Sequence, residues 1–182
     1  MGVARTPREA WIEQGLQTLA TSGVEAVRVE VLAKSLGVTK GGFYGYFGDR
    51  DALLEAMLDA WEGECVDDVL DRVQRESDPR DRIVLAGRLT LSSERLLALD
   101  LAIRDWARRD KSVFARLQRV DNRRMELLRK MIGTFCSDPD EVEARSLLAF
   151  CLAIGNQFLA ADHEGRTRDE VRARASAIVL DR

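Results

Sequence analysis

The chain has 182 residues, 46% hydrophobic and 32% charged, with three prolines. That is enough apolar material for a real core and excludes disorder, while the uncharged run Leu147 to Ile154 is too short to span a bilayer. A net charge of −3 excludes a protein that coats nucleic acid non-specifically.

The charge is unevenly placed: the first fifty residues hold six Lys/Arg against five Asp/Glu, the rest 22 against 26. Basic residues of the head must therefore act by position. No basic stretch followed by an apolar segment opens the chain, so a cytoplasmic protein is expected. Cys65, Cys136 and Cys151 are far apart without CxxC spacing, and His163 is the sole histidine. No metal site, disulfide framework or cofactor is expected; the thiols read as small hydrophobes, with redox sensing as the alternative.

Thr6-Pro7-Arg8-Glu9 predicts a helix start, with Thr6 as cap, Pro7 at the first position and Glu9 reaching back. Ile12, Leu16, Leu19 and Ala20 then make one helical face, and Ser22-Gly23 ends it. Arg5 and Arg8 read as solvated end charges, with phosphate contact from an N-terminal arm as the alternative. A second helix runs from Val29 to Leu36, with Val29, Leu32, Ala33 and Leu36 on its inner face. Gly37 stops it, Val38 plugs the turn, and Thr39 is placed to cap the next segment.

In Lys40 to Phe47, three glycines (41, 42 and 45) each disfavour helix by roughly 1 kcal/mol, so propensity alone predicts a loop. Yet Phe43 and Phe47 are four apart and can share a core-facing stripe, leaving Tyr44 and Tyr46 to point outward. A helix opening with lysine and glycines can bring its backbone close to a phosphate or base edge, its dipole favouring the anion.

The run Gly37-Val38-Thr39-Lys40-Gly41-Gly42-Phe43-Tyr44-Gly45-Tyr46-Phe47, followed by Arg50, Leu53 and Leu54, resembles the signature of the TetR family of transcriptional regulators. The resemblance covers about residues 5 to 65. Two positions depart from the usual pattern. Gly45 stands where a bulky side chain is common, and Arg50 stands where lysine is usual, giving a fork in place of a point donor.

Beyond it, Leu53, Leu54, Met57, Leu58, Trp61, Cys65, Val69, Leu70 and Val73 predict one long helix from Asp49 to Arg75, on the order of 40 Å at 1.5 Å per residue. Ser77-Asp78-Pro79 starts a helix to about Ser92, and another spans Leu96 to Arg109. Lys111 to Phe135 is amphipathic, with Val113, Phe114, Leu117 and Val120 on the apolar side. Arg116, Arg119, Arg123, Arg129 and Lys130 lie opposite, read as a solvated face because Asp121 and Glu126 interleave. Asp138-Pro139 starts a helix to about Ala161 that is apolar nearly all round over Leu147 to Ile154, a pattern demanding cover on more than one side. Thr167 and Glu170 cap a last helix, Arg168 to Leu180. The total is nine helices and no strand.

The expected fold is therefore all-α: a three-helix helix-turn-helix head (domain 5–65, motif about 28–47) on a C-terminal helical bundle (66–182) for ligand binding and dimerisation. The resemblance implies a repressor that binds a palindromic double-stranded DNA operator as a homodimer, joined through the last two helices, and is released by a small-molecule effector. It assigns DNA contacts to Arg28, Thr39, Lys40, Gly41, Gly42, Tyr44, Tyr46 and Arg50. Candidates to line an effector pocket are Trp61, Cys65, Trp106, Phe150 and Gln157, each also readable as core. Control by a protein partner is an alternative. An enzyme is the contrasting class, but His163 stands alone and the glycines at 41, 42 and 45 follow no strand as a nucleotide loop would.

Overall fold

In the computed structural model of the chain, residues 6–91 and 94–180 are described, and every regular element among them is helical. Arg5 lies outside those residues. The chain divides into two compact units, Met1–Asp67 with Glu94–Val120, and Asp68–Ser93 with Asp121–Arg182. The first unit thus takes in residues 94–120 in addition to the head expected at 5–65.

In the first unit, α1 (Arg8–Ser22) has Pro7 at its N-cap and no side-chain cap. Thr6, expected to cap, stands one residue too early. Pro7 is extended and its own carbonyl accepts Ala10 N at 3.2 Å, so the helix begins after it. Ile12, Leu16 and Leu19 are buried as the spacing predicts, and Trp11, outside that stripe, is wholly buried beside them. After Gly23 (φ +77) a 3-10 turn, Val24–Ala26, leads into α2 (Val29–Ser35), which buries Val29, Leu32 and Ala33. Gly37 (φ +67) reverses the chain at the expected place, in a conformation that costs an L side chain roughly 1–2 kcal/mol.

The segment Lys40–Gly45 is a 3-10 helix. α3 (Arg50–Glu62) starts on Asp49, whose carboxylate accepts Ala52 N at 2.8 Å, and buries Leu53, Leu54, Met57, Leu58 and Trp61. The single helix expected to reach Arg75 does not form: a π segment, Gly63–Asp67, intervenes before α4 (Asp68–Val73). Gly63 is a weak helix former, and Glu64 and Asp68 would be like charges one turn apart in an α-helix. α6 (Glu94–Ala107) packs on α1 and buries Leu99, Ile103 and Trp106. The start of α7 (Lys111–Ile132) adds Val113, Leu117 and Val120. Phe114, expected with them, is 54% exposed, because it sits about 100° round the helix from Val113.

In the second unit α4, α5 (Pro79–Leu91), the rest of α7, α8 (Pro139–Gly155) and α9 (Arg168–Leu180) surround a small core: Val69, Val73, Ile83, Ala86, Met131 and Ile132. The Asp-Pro starts behave as expected. Asp78 accepts Asp81 N at 3.2 Å and Asp138 accepts Asp140 N at 2.9 Å. The Thr167–Glu170 box closes in both directions, at 3.2 and 2.7 Å. α7 stops short of Phe135, as Thr134 N and Phe135 N turn to the carbonyls three residues back, Met131 O at 3.3 Å and Ile132 O at 3.1 Å, and α8 stops at Gly155 where Ala161 was expected. Only Ser146 is buried on α8 and nothing on α9, so Leu147, Leu148 and Ile178 stay more than half exposed. No helix among the described residues is long and apolar enough to cross a membrane.

Candidate nucleic-acid interface

The head is built around an aromatic stack. Phe43 is wholly buried, with its ring 5.4 Å from Trp11 in an edge-on arrangement and 5.2 Å from Phe47. Arg8 lies over the outer ring of that stack, 5.1 Å from the Phe47 centroid. Anchoring at 43 and 47 turns the intervening residues outward. Tyr44 is 59% exposed, its ring edge-on to Phe43, whereas Tyr46 is half-buried. Lys40, Gly41 and Gly45 are exposed.

Gly41 and Gly42 are not explained by packing. Gly41 and Gly42 have no positive φ, and an added Cβ would meet nothing nearer than 3.8 Å at Gly41 and 3.7 Å at Gly42. The fold would accept alanine at both. A bare backbone at these exposed and half-exposed positions is what close approach by another molecule requires. A six-residue 3-10 turn carries little dipole, so the anion-favouring dipole expected of an α-helix here gives way to Lys40 and the tyrosines.

Three of the basic residues are engaged within the head. Lys40 Nζ pairs with Glu30 at 2.6 Å, and Arg28 Nε donates to Glu25 O at 3.0 Å. Arg50 donates from Nε to Val27 O at 2.6 Å and from Nη2 to Val24 O at 2.7 Å, toward the interior of the head. Thr39 occupies the cap position before Lys40 but makes no side-chain cap.

The residues 12–57 match the family described as bacterial regulatory proteins, tetR family. The chain belongs to the TetR family. Among curated relatives of this TetR-family chain, the HTH-type transcriptional regulator BetI of Stenotrophomonas maltophilia (strain R551-3) is 31% identical over 128 residues, 68% of this chain and 65% of that one. BetI of Escherichia coli (strain K12) is 25% identical over 179 residues, covering 95% and 91%. Two solved structures share the fold. A transcriptional regulator from Saccharomonospora viridis in complex with choline superposes with a TM-score of 0.79 at 16% identity, over 94% of each chain. FadR from Bacillus subtilis in complex with stearoyl-CoA gives 0.69 at 12% identity, over 96% and 98%. The relatives are named as regulators of transcription, and this family member is a helix-turn-helix transcriptional regulator.

The basic face of α7 is ion-paired. Arg116 meets Glu55, Asp59 and Glu62 of α3 at 2.7 to 2.9 Å; Arg129 pairs with Glu143, and Lys130 with Glu126. Burial works against the Arg116 charge, but its bonds to Asp59 and Glu62 prevail and hold the guanidinium still more firmly protonated. On α6, Arg95 bridges Glu13 of α1 at 2.6 Å and Glu64 of the π segment.

The candidate pocket residues divide between the units. Trp61, Cys65 and Trp106 are buried in the first, and Phe150 and Gln157 are half-buried in the second. Trp106 lines a cleft of about 400 Å³ whose walls are Leu19, Ala20, Gly23 and Val24 on one side and Ala98, Leu101, Ala102 and Asp105 of α6 on the other. Trp61 Nε1 is buried and finds no acceptor. Two features escaped the sequence reading: the burial of Trp11, and the inward fork of Arg50. Trp11 flanks the stripe, one residue before Ile12, and was legible as core; nothing in the pattern pointed to the carbonyls that Arg50 finds.

Proposed function

We propose that the chain is a homodimeric repressor that reads a palindromic operator through Lys40 to Tyr46 and is released by a small molecule. The observation that carries this is the Tyr44 side chain, exposed beside buried Phe43 and preceded by Gly41 and Gly42, which packing does not require. Lys40 and the Gly41-Gly42 backbone would approach base edges, Thr39 and Tyr44 a phosphate or thymine methyl, and Tyr46 and Arg28 the flanking phosphates. A two-fold dimer, closed through α8 and α9, would then demand an operator of two inverted half-sites. The DNA-binding domain is taken as residues 5–65 and the remainder, 66–182, as the ligand-binding and dimerisation domain. A repressor of this kind acts in the cytoplasm.

For the effector, one structural neighbour holds choline and another stearoyl-CoA. Trp106, which lines the cleft of the first unit, would supply an aromatic face of the kind a quaternary ammonium favours. Release requires that the effector bind the DNA-incompetent state more tightly. The test is selection of bound duplexes from a random pool, repeated with choline and with an acyl-CoA. An enriched palindrome, lost in Tyr44→Ala and Lys40→Ala proteins that remain folded, supports the reading. Retention of operator affinity by both variants at fixed moderate salt refutes the site.

A further inference from the structure

Arg50 is the first residue of α3, where a cation opposes the positive end of the helix dipole. The helix gains nothing from it: Asp49 caps the first turn and Asp51 supplies the acid that this turn favours. Its guanidinium reaches back instead to the turn between α1 and α2, holding Val27 O at 2.6 Å and Val24 O at 2.7 Å. These two carbonyls bracket the 3-10 turn Val24–Ala26, and Val24 O already accepts Val27 N at 3.1 Å. The fork therefore adds two side-chain bonds to a short turn that has only two backbone bonds of its own, Ala26 N to Gly23 O at 3.2 Å and Val27 N to Val24 O at 3.1 Å. Both contacts are partly buried and charge-assisted, the stronger class of hydrogen bond.

We infer that Arg50 is a positioning residue for DNA reading, fixing the turn from which α2 departs and hence how α2 and the Lys40–Gly45 segment are presented. The inference rests on the DNA-reading role proposed above. Val27 is wholly buried and α2 begins at Val29, so a rotation of this turn is transmitted to α2. α2 packs in turn on the Lys40–Gly45 segment. Arg28 adds a bond to Glu25 O, so the carbonyls of residues 24, 25 and 27 are all held by arginine side chains. A lysine at 50 would offer one point donor to a pair of acceptors that a planar fork reaches together.

The test uses the duplex that the wild-type protein enriches from a random pool, with a scrambled duplex of equal length as the control. Arg50→Lys and Arg50→Gln are expected to weaken specific binding by about 10- to 100-fold, as loss of charge-assisted bonds does. Affinity for the scrambled duplex, and the slope of log affinity against log salt, should stay unchanged. If Arg50 were a phosphate contact, Arg50→Gln would weaken both duplexes alike and shrink the slope by about one, and Arg50→Lys would restore both. That result overturns the inference, as does unchanged specific affinity. A measurement without variants guards against unfolding. The through-hydrogen-bond coupling between Arg50 Nε and the Val27 carbonyl should persist in the DNA complex, and its loss there overturns the inference too. A wild-type protein that enriches no duplex removes the DNA-reading role itself, and this inference with it, a result distinct from all the others.

Discussion

Lys40 Nζ lies 2.6 Å from the Glu30 carboxylate, so the first residue of the reading segment is already paired with an anion of α2. Both side chains are more than half exposed, at 53% and 60%. Water and salt screen such a pair, and it contributes little to folding. Its effect falls on binding, because any phosphate that Lys40 meets must displace Glu30. Removing the carboxylate leaves Lys40 to gather a counterion that DNA then releases. Glu30→Gln is therefore expected to tighten binding to duplex DNA several-fold and to steepen the salt dependence by about one, as measured in a salt titration. An unchanged slope would mean that Lys40 stays away from phosphate.

The same pair fixes a pH dependence. The hydrogen bond from Lys40 holds the Glu30 carboxyl below the ordinary glutamate value. A depressed value means that the pair is fully formed above the usual glutamate range and is lost as pH falls through the lowered one. The difference in DNA affinity between the native protein and Glu30→Gln should then be constant near neutrality. It should shrink only below the usual glutamate range, where protonation makes the native residue resemble its amide. Affinities compared at matched salt across that range check the expectation.

Close approach of α1 to α3 depends on Gly15. A Cβ there would fall 2.6 Å from Met57 Sδ, and Met57 is wholly buried. Two effects compete in Gly15→Ala: helix propensity improves by about 1 kcal/mol, while the methionine must move. The net change should be small. Gly15→Val adds branched atoms that the shift of one flexible side chain cannot clear, and should cost about 1–3 kcal/mol in urea unfolding. Combining it with Met57→Ala should recover part of that loss, the coupling expected of residues in direct contact.

Much of this architecture is written in local chemistry. Caps at Asp49, Asp78, Asp138 and Thr167 lie where short-range hydrogen bonding puts them. The reversal at Gly37 and the inward turn of Phe43 and Phe47 follow from backbone sterics and a four-residue spacing. What periodicity could not reveal lies in longer-range geometry. Trp61, Cys65, Val69 and Val73 are each four residues apart across the π segment, and a four-residue spacing by itself does not tell an α turn from a wider one. The fork of Arg50 spans more than twenty residues of sequence to reach its carbonyls, and no motif encodes such a contact. The basic stripe of α7 was legible as a solvated face, but its pairing with Glu55, Asp59 and Glu62 depends on how α3 and α7 pack.

The uncovered face of α8 and α9 yields the last expectation. Leu147 and Leu148 of α8 are 54% and 56% exposed and Ile178 of α9 66%, on helices that bury almost nothing within the chain, and Phe158, in the turn after α8, is 65% exposed. Covering a leucine or phenylalanine side chain removes about 1.5–3 kcal/mol of unfavourable hydration, so these residues together favour association strongly. A charge placed among them would have to be desolvated without a partner. Leu148→Asp is therefore expected to shift sedimentation from the proposed dimer to monomer, or to leave the protein insoluble. Leu148→Ala should only weaken the association, because it forgoes burial without adding a penalty. Specific operator binding should fall with the dimer, since a single head engages one half-site, whereas binding of that half-site alone should persist. A Leu148→Asp protein that sediments as an unchanged dimer would place the interface elsewhere.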